Sequence, residues 1–199
     1  MAGKVVTMSV DREHIPAKHR KLIKAFLDEA DMSADAIKAV DFPPAYGADI
    51  VVSCEKAKDP KNGSIYLKPT QFVLGIGCRR DTAFENIDRA IRQSLLKLQI
   101  DISDIDMIAS IDVKKDEPGI KEFCDRNRIE FVTYTVDELM AVQGEFSASQ
   151  FVKEHVGVDN VCERAAVLAC SRECNKAGKL VYKKHKYDGV TVAAAKYPD

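Results

Sequence analysis

The run Phe72, Val73, Leu74 and Ile76 narrows the possible folds most. It is almost wholly apolar and has no 3.6-residue period, so it reads as a strand covered on both faces within a parallel or mixed sheet. Gly75 and Gly77 end the run and permit a tight turn and the close approach of a ligand to the backbone. Cys78, Arg79, Arg80 and Asp81 then lead into a helix. Thr82 can cap its free amides and Glu85 can close a capping box, with Phe84, Ile87, Ile91, Leu95 and Leu98 on one apolar stripe. Free amides, the helix dipole and two arginine forks at this mouth would attract an anion. The spacing is neither GxGxxG nor GxxxxGK, so a nucleotide site is poorly supported; a tight turn with two solvated arginines is the alternative.

From Gln71 onward the pattern alternates regularly. Asp106–Ile111 reads as a strand, followed by a charged turn through Glu117 and a helix with Pro118 in its first turn and Ile120, Phe123 and Cys124 inward. Ile129–Tyr134 is a third strand, and Thr135 with Glu138 forms the capping box of a short helix. Gly144 breaks the pattern, and Ser147 or Ser149 can cap a helix through Phe151, Val152 and His155 that ends at Gly157. An alanine-rich helix spans about 160–174, with Val161, Ala165, Leu168 and Ala169 toward the core. Two strands, 179–185 and 190–195, flank the hairpin signal Asp188-Gly189. Residues 71–199 therefore predict a three-layer α/β/α domain with a mixed sheet.

The first 70 residues differ. Leu22, Ile23, Phe26 and Leu27 predict an amphipathic helix over 17–30. Ser33 caps a shorter helix through Val40, stopped before Pro43 and Pro44. Residues 48–53 and 64–67 read as short strands around the polar loop 56–63. This segment, 1–70, predicts a small α+β unit that packs on the main domain or is part of something larger.

Composition bounds the function classes. The chain has 199 residues, is 46% hydrophobic and carries a net charge of -1, which supports a sizeable core and argues against nucleic acid as a partner. No run is apolar enough to span a membrane, and the start MAGKVVTMSV lacks the core of a signal peptide, so a cytoplasmic protein is expected. The six cysteines show no CxxC pair and no histidine at zinc spacing, so free thiols and no protein metal site are expected.

In open α/β sheets the ligand crevice lies beyond the carboxyl ends of the strands. If the first two strands of the main domain are parallel and adjacent, Arg79, Arg80, Lys114, Lys115 and Glu117 converge on one rim. Such a rim suits a ligand with several carboxylates and offers one carboxylate as a base; a solvated charged turn is the alternative. Glu163, near the start of the alanine-rich helix, complements the helix dipole. Lys183 and His185 alternate along one strand face.

From about Phe72 to the end the chain resembles the carboxyl-terminal domain of the CbiG family of cobalamin biosynthesis, the cobalt-precorrin-5A hydrolases. The segments that carry it are FVLGIGCRRDT, IASIDVKKDEPGI, EFSASQFV, VDNVCERAAVLAC and KLVYKKHKYDGVTVAAA, in that order. Full-length members begin with a separate amino-terminal domain, for which this sequence has no room. The resemblance implies hydrolysis of a δ-lactone on a cobalt-bearing contracted tetrapyrrole, with release of acetaldehyde. A water must then be activated to attack the lactone carbonyl, and location in the chain makes Glu117 the first candidate base and Glu163 the second. The resemblance also implies a substrate-binding set of Gly75, Gly77, Cys78, Arg79, Arg80, Lys114, Ser147, Ser149, Lys183 and Thr191. Cobalt would come with the substrate and no further cofactor is needed. Expected partners are the tetrapyrrole and a second copy of the chain or other cobalamin-pathway enzymes. The competing reading is a tetrapyrrole-binding module that needs another domain for activity.

Overall fold

The computed structural model describes residues 6–10, 15, 16, 19, 23, 37–40, 50–52, 65–67, 69–147, 157–174 and 177–198. The expected loop 56–63, Ser149 and the helix through His155 lie outside the described residues; of the helix expected over 17–30, His19 and Ile23 are described and both are helical. The chain divides into two compact units, Met1–Thr70 and Gln71–Pro198.

The first unit holds a four-stranded sheet in the order β2-β1-β3-β4, built from β1 (Val6–Val10), β2 (Ile37–Val40), β3 (Ile50–Val52) and β4 (Ile65–Leu67). Every neighbouring pair is parallel. The two strands expected over 48–53 and 64–67 are present as β3 and β4; β1 and β2 are additional, and the expected helix running to Val40 is corrected. Residues 37–40 pair with β1, Val6 opposite Ile37 and Ser9 opposite Val40. Two β-branched residues within IKAV suit a pleated surface, and a partner strand far away in sequence decides what local helix propensity leaves close.

In the second unit the sheet order is β7-β6-β5-β9-β8, from β5 (Phe72–Cys78), β6 (Ile105–Ile111), β7 (Glu130–Tyr134), β8 (Lys179–Lys186) and β9 (Val190–Lys196). β5, β6 and β7 run parallel, whereas β9 is antiparallel to β5 and to β8, so the sheet is mixed. Two helices, α1 (Phe84–Leu98) and α2 (Pro118–Asn127), share one core with Leu74, Ile76, Ile108 and Val192. On the other face α3 (Val136–Ala141) and α4 (Val161–Cys174) bury Val73, Met107, Ala109 and Ala195. The expected three layers are present.

β5 explains this two-sided burial. Val73 joins the α4 core while Leu74 and Ile76 join the α1 core, as the two-residue strand period requires. Gly75 and Gly77 lie inside the strand, opposite Ala193 and Thr191 of β9, rather than in a turn after it. A Cβ on Gly75 would stand 1.7 Å from the carbonyl oxygen of Cys162, so this glycine admits the backbone of α4 and not a ligand. The turn itself is made by Asp81, whose φ is 57°.

The start of α1 also departs from its pattern. Ala83, not Thr82, occupies the cap position and no side chain caps the helix. Thr82 is diverted: its hydroxyl donates to the Arg79 carbonyl at 2.7 Å and its amide to Glu117. At α3 the expected box is formed, with the Glu138 amide donating to Thr135 Oγ1 at 3.2 Å and the Thr135 amide to Glu138 Oε2 at 2.8 Å. Asn160 opens α4 by accepting the Glu163 amide on Oδ1 at 3.0 Å.

Candidate functional site

Because β5 and β6 are parallel neighbours, with Leu74 opposite Ile108, the loops at their carboxyl ends lie side by side. The first loop carries Arg79 to Ala83 and the second Asp112 to Glu117. The two are joined by Glu117. Its Oε1 accepts the Thr82 amide at 2.9 Å and its Oε2 the Lys114 ammonium at 2.7 Å, with the carboxylate side chain only 4% exposed and the lysine 13%. A 3₁₀ turn over Asp112–Lys114 brings the lysine back three residues onto Glu117. Gly119 completes the junction, since a Cβ there would stand 2.3 Å from the Thr82 carbonyl.

Cys78 ends β5 on the α1 side, beside Thr82 and Lys114. Burial pushes its thiol above the ordinary value, the Lys114 ammonium pulls it back and the Glu117 carboxylate opposes that pull. Arg79 and Arg80 are exposed, as is Lys115. The Arg79 amide donates to the Gly189 carbonyl at 3.1 Å, which draws the β8–β9 hairpin to the same rim. A 330 Å³ cleft adjoins the junction where α1 and α2 begin, and its walls are acidic through Asp81, Glu85 and Glu122.

The remaining predicted residues gather on the opposite layer. Glu163 is fully buried and accepts three hydrogen bonds, from the Ser147 hydroxyl (2.8 Å), the Ser147 amide (2.8 Å) and the Lys184 amide (2.6 Å). Thr191 lies opposite Gly77 and donates to its carbonyl at 3.1 Å. A Cβ on Gly77 would stand 2.7 Å from that hydroxyl. Beside Thr191, burial drives the Cys162 thiol up to about 12.

Lys183 is exposed on β8, at a register shift between Tyr182 and His185. That irregularity corrects the expected sharing of one face by Lys183 and His185: the His185 ring stacks on Tyr182 instead, 4.1 Å between centroids.

The structure thus brings Cys78, Lys114 and Glu117 together and places Gly75, Gly77, Ser147, Glu163 and Thr191 in a second group. Sequence reasoning misses the Thr82 tether, the role of Asn160 and the Lys184 amide. For Asn160 the signal is present, as asparagine just before a helical run is a strong cap. Among the described residues no group of three or more His, Cys, Asp or Glu is placed to hold a metal ion, and no helix is long and apolar enough to cross a membrane.

Fold and rim together define a three-layer α/β domain in which the loops at the carboxyl ends of two parallel strands are joined by a buried Lys114–Glu117 ion pair. The chain belongs to the family described as Cobalamin synthesis G C-terminus, which matches residues 72–195. It is 33% identical over 137 residues to the probable cobalt-precorrin-5A hydrolase of Methanocaldococcus jannaschii, covering 66% of this chain and 42% of that protein. It is also 33% identical over 126 residues to the cobalt-precorrin-5A hydrolase of Salmonella typhimurium, covering 63% and 34%. The chain therefore spans less than half the length of these two relatives. In fold it is similar to the crystal structure of CobE, a protein from the cobalamin biosynthetic pathway, with TM-score 0.60, 24% identity and coverage of 64% of this chain and 90% of that one. A putative cobalamin biosynthesis protein G homolog from Sulfolobus solfataricus matches 97% of this chain and 51% of its own, with TM-score 0.53 and 20% identity.

Proposed function

We propose that this chain supplies the carboxyl-terminal part of a cobalt-precorrin-5A hydrolase in cobalamin biosynthesis, opening the δ-lactone of the tetrapyrrole with release of acetaldehyde. The family match over residues 72–195 carries the reading. The chemistry of the rim supports it. A contracted tetrapyrrole bears many acetate and propionate groups, and exposed Arg79 and Arg80 offer forked donors to carboxylates. Lactone hydrolysis adds water to the carbonyl carbon and breaks the ring C–O bond, with negative charge building on the carbonyl oxygen in between. Cations at the rim stabilise that charge. The freed hydroxyl then loses its proton, its carbon's C–C bond to the macrocycle breaks with the electron pair left on the macrocycle, and the two-carbon unit departs as acetaldehyde. Glu163, with its three hydrogen bonds inside the α4 layer, serves as framework in this reading. The cobalt is part of the substrate, and the reaction is placed in the cytoplasm.

The test is anaerobic incubation of the 199-residue chain with cobalt-precorrin-5A and trapping of acetaldehyde. Release above a protein-free control is expected. Substrate bound without release would replace the hydrolase reading by that of a tetrapyrrole-binding module.

A further inference from the structure

The buried junction of the two rim loops separates holding from contacting. Both Glu117 oxygens already have partners, one on the Thr82 amide and one on the Lys114 ammonium, and the carboxylate side chain is 4% exposed. A water-activating base needs an oxygen turned toward the reacting centre. Lys114 is different: it is more open than its partner, and an ammonium has three donors, of which Glu117 takes one and the Cys78 sulfur another, which leaves a third. A lysine side chain is flexible and pays rotamer entropy to stay in one place unless something tethers it.

We propose that Glu117 is a positioning residue that holds the Lys114 ammonium at the rim, where that ammonium receives a carboxylate of the substrate. The second half rests on the hydrolase reading above; the first half does not. The Thr82 amide fixes one side of the Glu117 carboxylate to the β5–α1 loop, so the lysine is aimed by both loops at once. Exposed Arg79 and Arg80 offer the same ligand chemistry from the first loop.

Cys78 reports on the lysine without any substrate, because the groups that act on its thiol are Lys114, Glu117 and Thr82. The experiment follows iodoacetamide modification of Cys78, read by peptide mass spectrometry, against pH in the parent, Lys114→Met, Glu117→Gln and the double variant, each checked for folding by circular dichroism. In the parent background Lys114→Met should raise the midpoint of the profile. In the Glu117→Gln background it should leave the midpoint where it is, since the ammonium has already swung away. An equal rise in both backgrounds overturns the proposal. If Glu117→Gln does not fold, Glu117→Asp takes its place, and a rise as large as the parent's again overturns it.

Turnover gives the second readout. Both Lys114→Met and Glu117→Gln should raise KM about tenfold with kcat changed by less than about threefold, and the double variant should be no worse than Lys114→Met alone. A collapse of kcat in Glu117→Gln at unchanged KM would overturn the positioning role and make Glu117 the base. A parent chain that neither binds nor turns over the substrate defeats the hydrolase reading, while the thiol profiles still decide the tether.

Discussion

The backbone amide of Lys184 donates to Glu163 Oε1 at 2.6 Å, at the register shift between Tyr182 and His185 in the β8–β9 ladder. A bulge leaves an amide without its partner strand, and a buried amide needs an acceptor. The carboxylate of α4 supplies it and, through Ser147, fastens the chain after α3 to the same point.

Glu163→Ala would strip acceptors from the Ser147 amide, the Ser147 hydroxyl and the Lys184 amide together. The expected loss is about 3–5 kcal/mol of unfolding free energy, read from urea denaturation. A loss below about 1 kcal/mol would show that water or another group takes over the three donors.

Position 75 gives a sharper steric prediction. Gly75→Ala drives a methyl into the Cys162 carbonyl, with 1.7 Å available, and backbone cannot yield as a side-chain tip would. We expect a cost of about 3 kcal/mol or more. Gly189→Ala, in the hairpin at φ 73°, should cost only about 1 kcal/mol. Urea midpoints in the reverse order would refute the packing argument.

Alkaline pH should weaken the fold through its thiols. Burial holds Cys124 and Cys162 at about 12 against an ordinary 9.0. Below pH 9.0 both thiols are protonated folded or unfolded, so their contribution is fully present; above it the unfolded chain ionises first and stability falls until the folded thiols ionise near 12. The limiting slope is about 1.4 kcal/mol per pH unit per thiol. Urea midpoints from about pH 8 to 9.5, below the ordinary tyrosine value of 10.0 at which Tyr134, Tyr182 and Tyr197 begin to add to the effect, should fall in the parent and fall less steeply in Cys124→Ala, where Cys162 alone remains. Equal slopes would show that Cys124 ionises alike in both states.

Arg79→Ala with Arg80→Ala tests the rim from its exposed side. Stability should change by no more than about 0.5 kcal/mol, because neither residue is buried. Affinity for cobalt-precorrin-5A should fall about tenfold or more at low salt, and the difference should shrink as salt is added. Unchanged affinity in a spectroscopic titration would move the carboxylate-binding groups away from this loop.

What the sequence made legible follows from which signals are local. The mixed sheet of residues 71–198 was readable because each element carries its own period and its own punctuation, such as Thr135 with Glu138 and Asp188-Gly189. β2 was not, because IKAV becomes a strand only through pairing with β1. The convergence of Lys114 and Glu117 on the first loop followed from parallel neighbouring strands. Nothing local, however, shows that Thr82 gives its amide to Glu117, 35 residues away, in place of capping its own helix. The two glycines do mark close approach, but what approaches is the α4 backbone at Gly75 and the Thr191 hydroxyl at Gly77, not a ligand.

The alternation in β5 has a consequence for how the chain can be threaded. Val73, Gly75 and Gly77 meet the α4 side, whereas Leu74, Ile76 and Cys78 meet the α1 side. Slipped by one residue against β9, the strand would drive a leucine or an isoleucine into the carbonyl of Cys162 and leave two notches facing α1. The strand therefore works as a key cut differently on its two edges: it enters the sheet in one alignment, and that alignment delivers Cys78 and the two arginines to the rim.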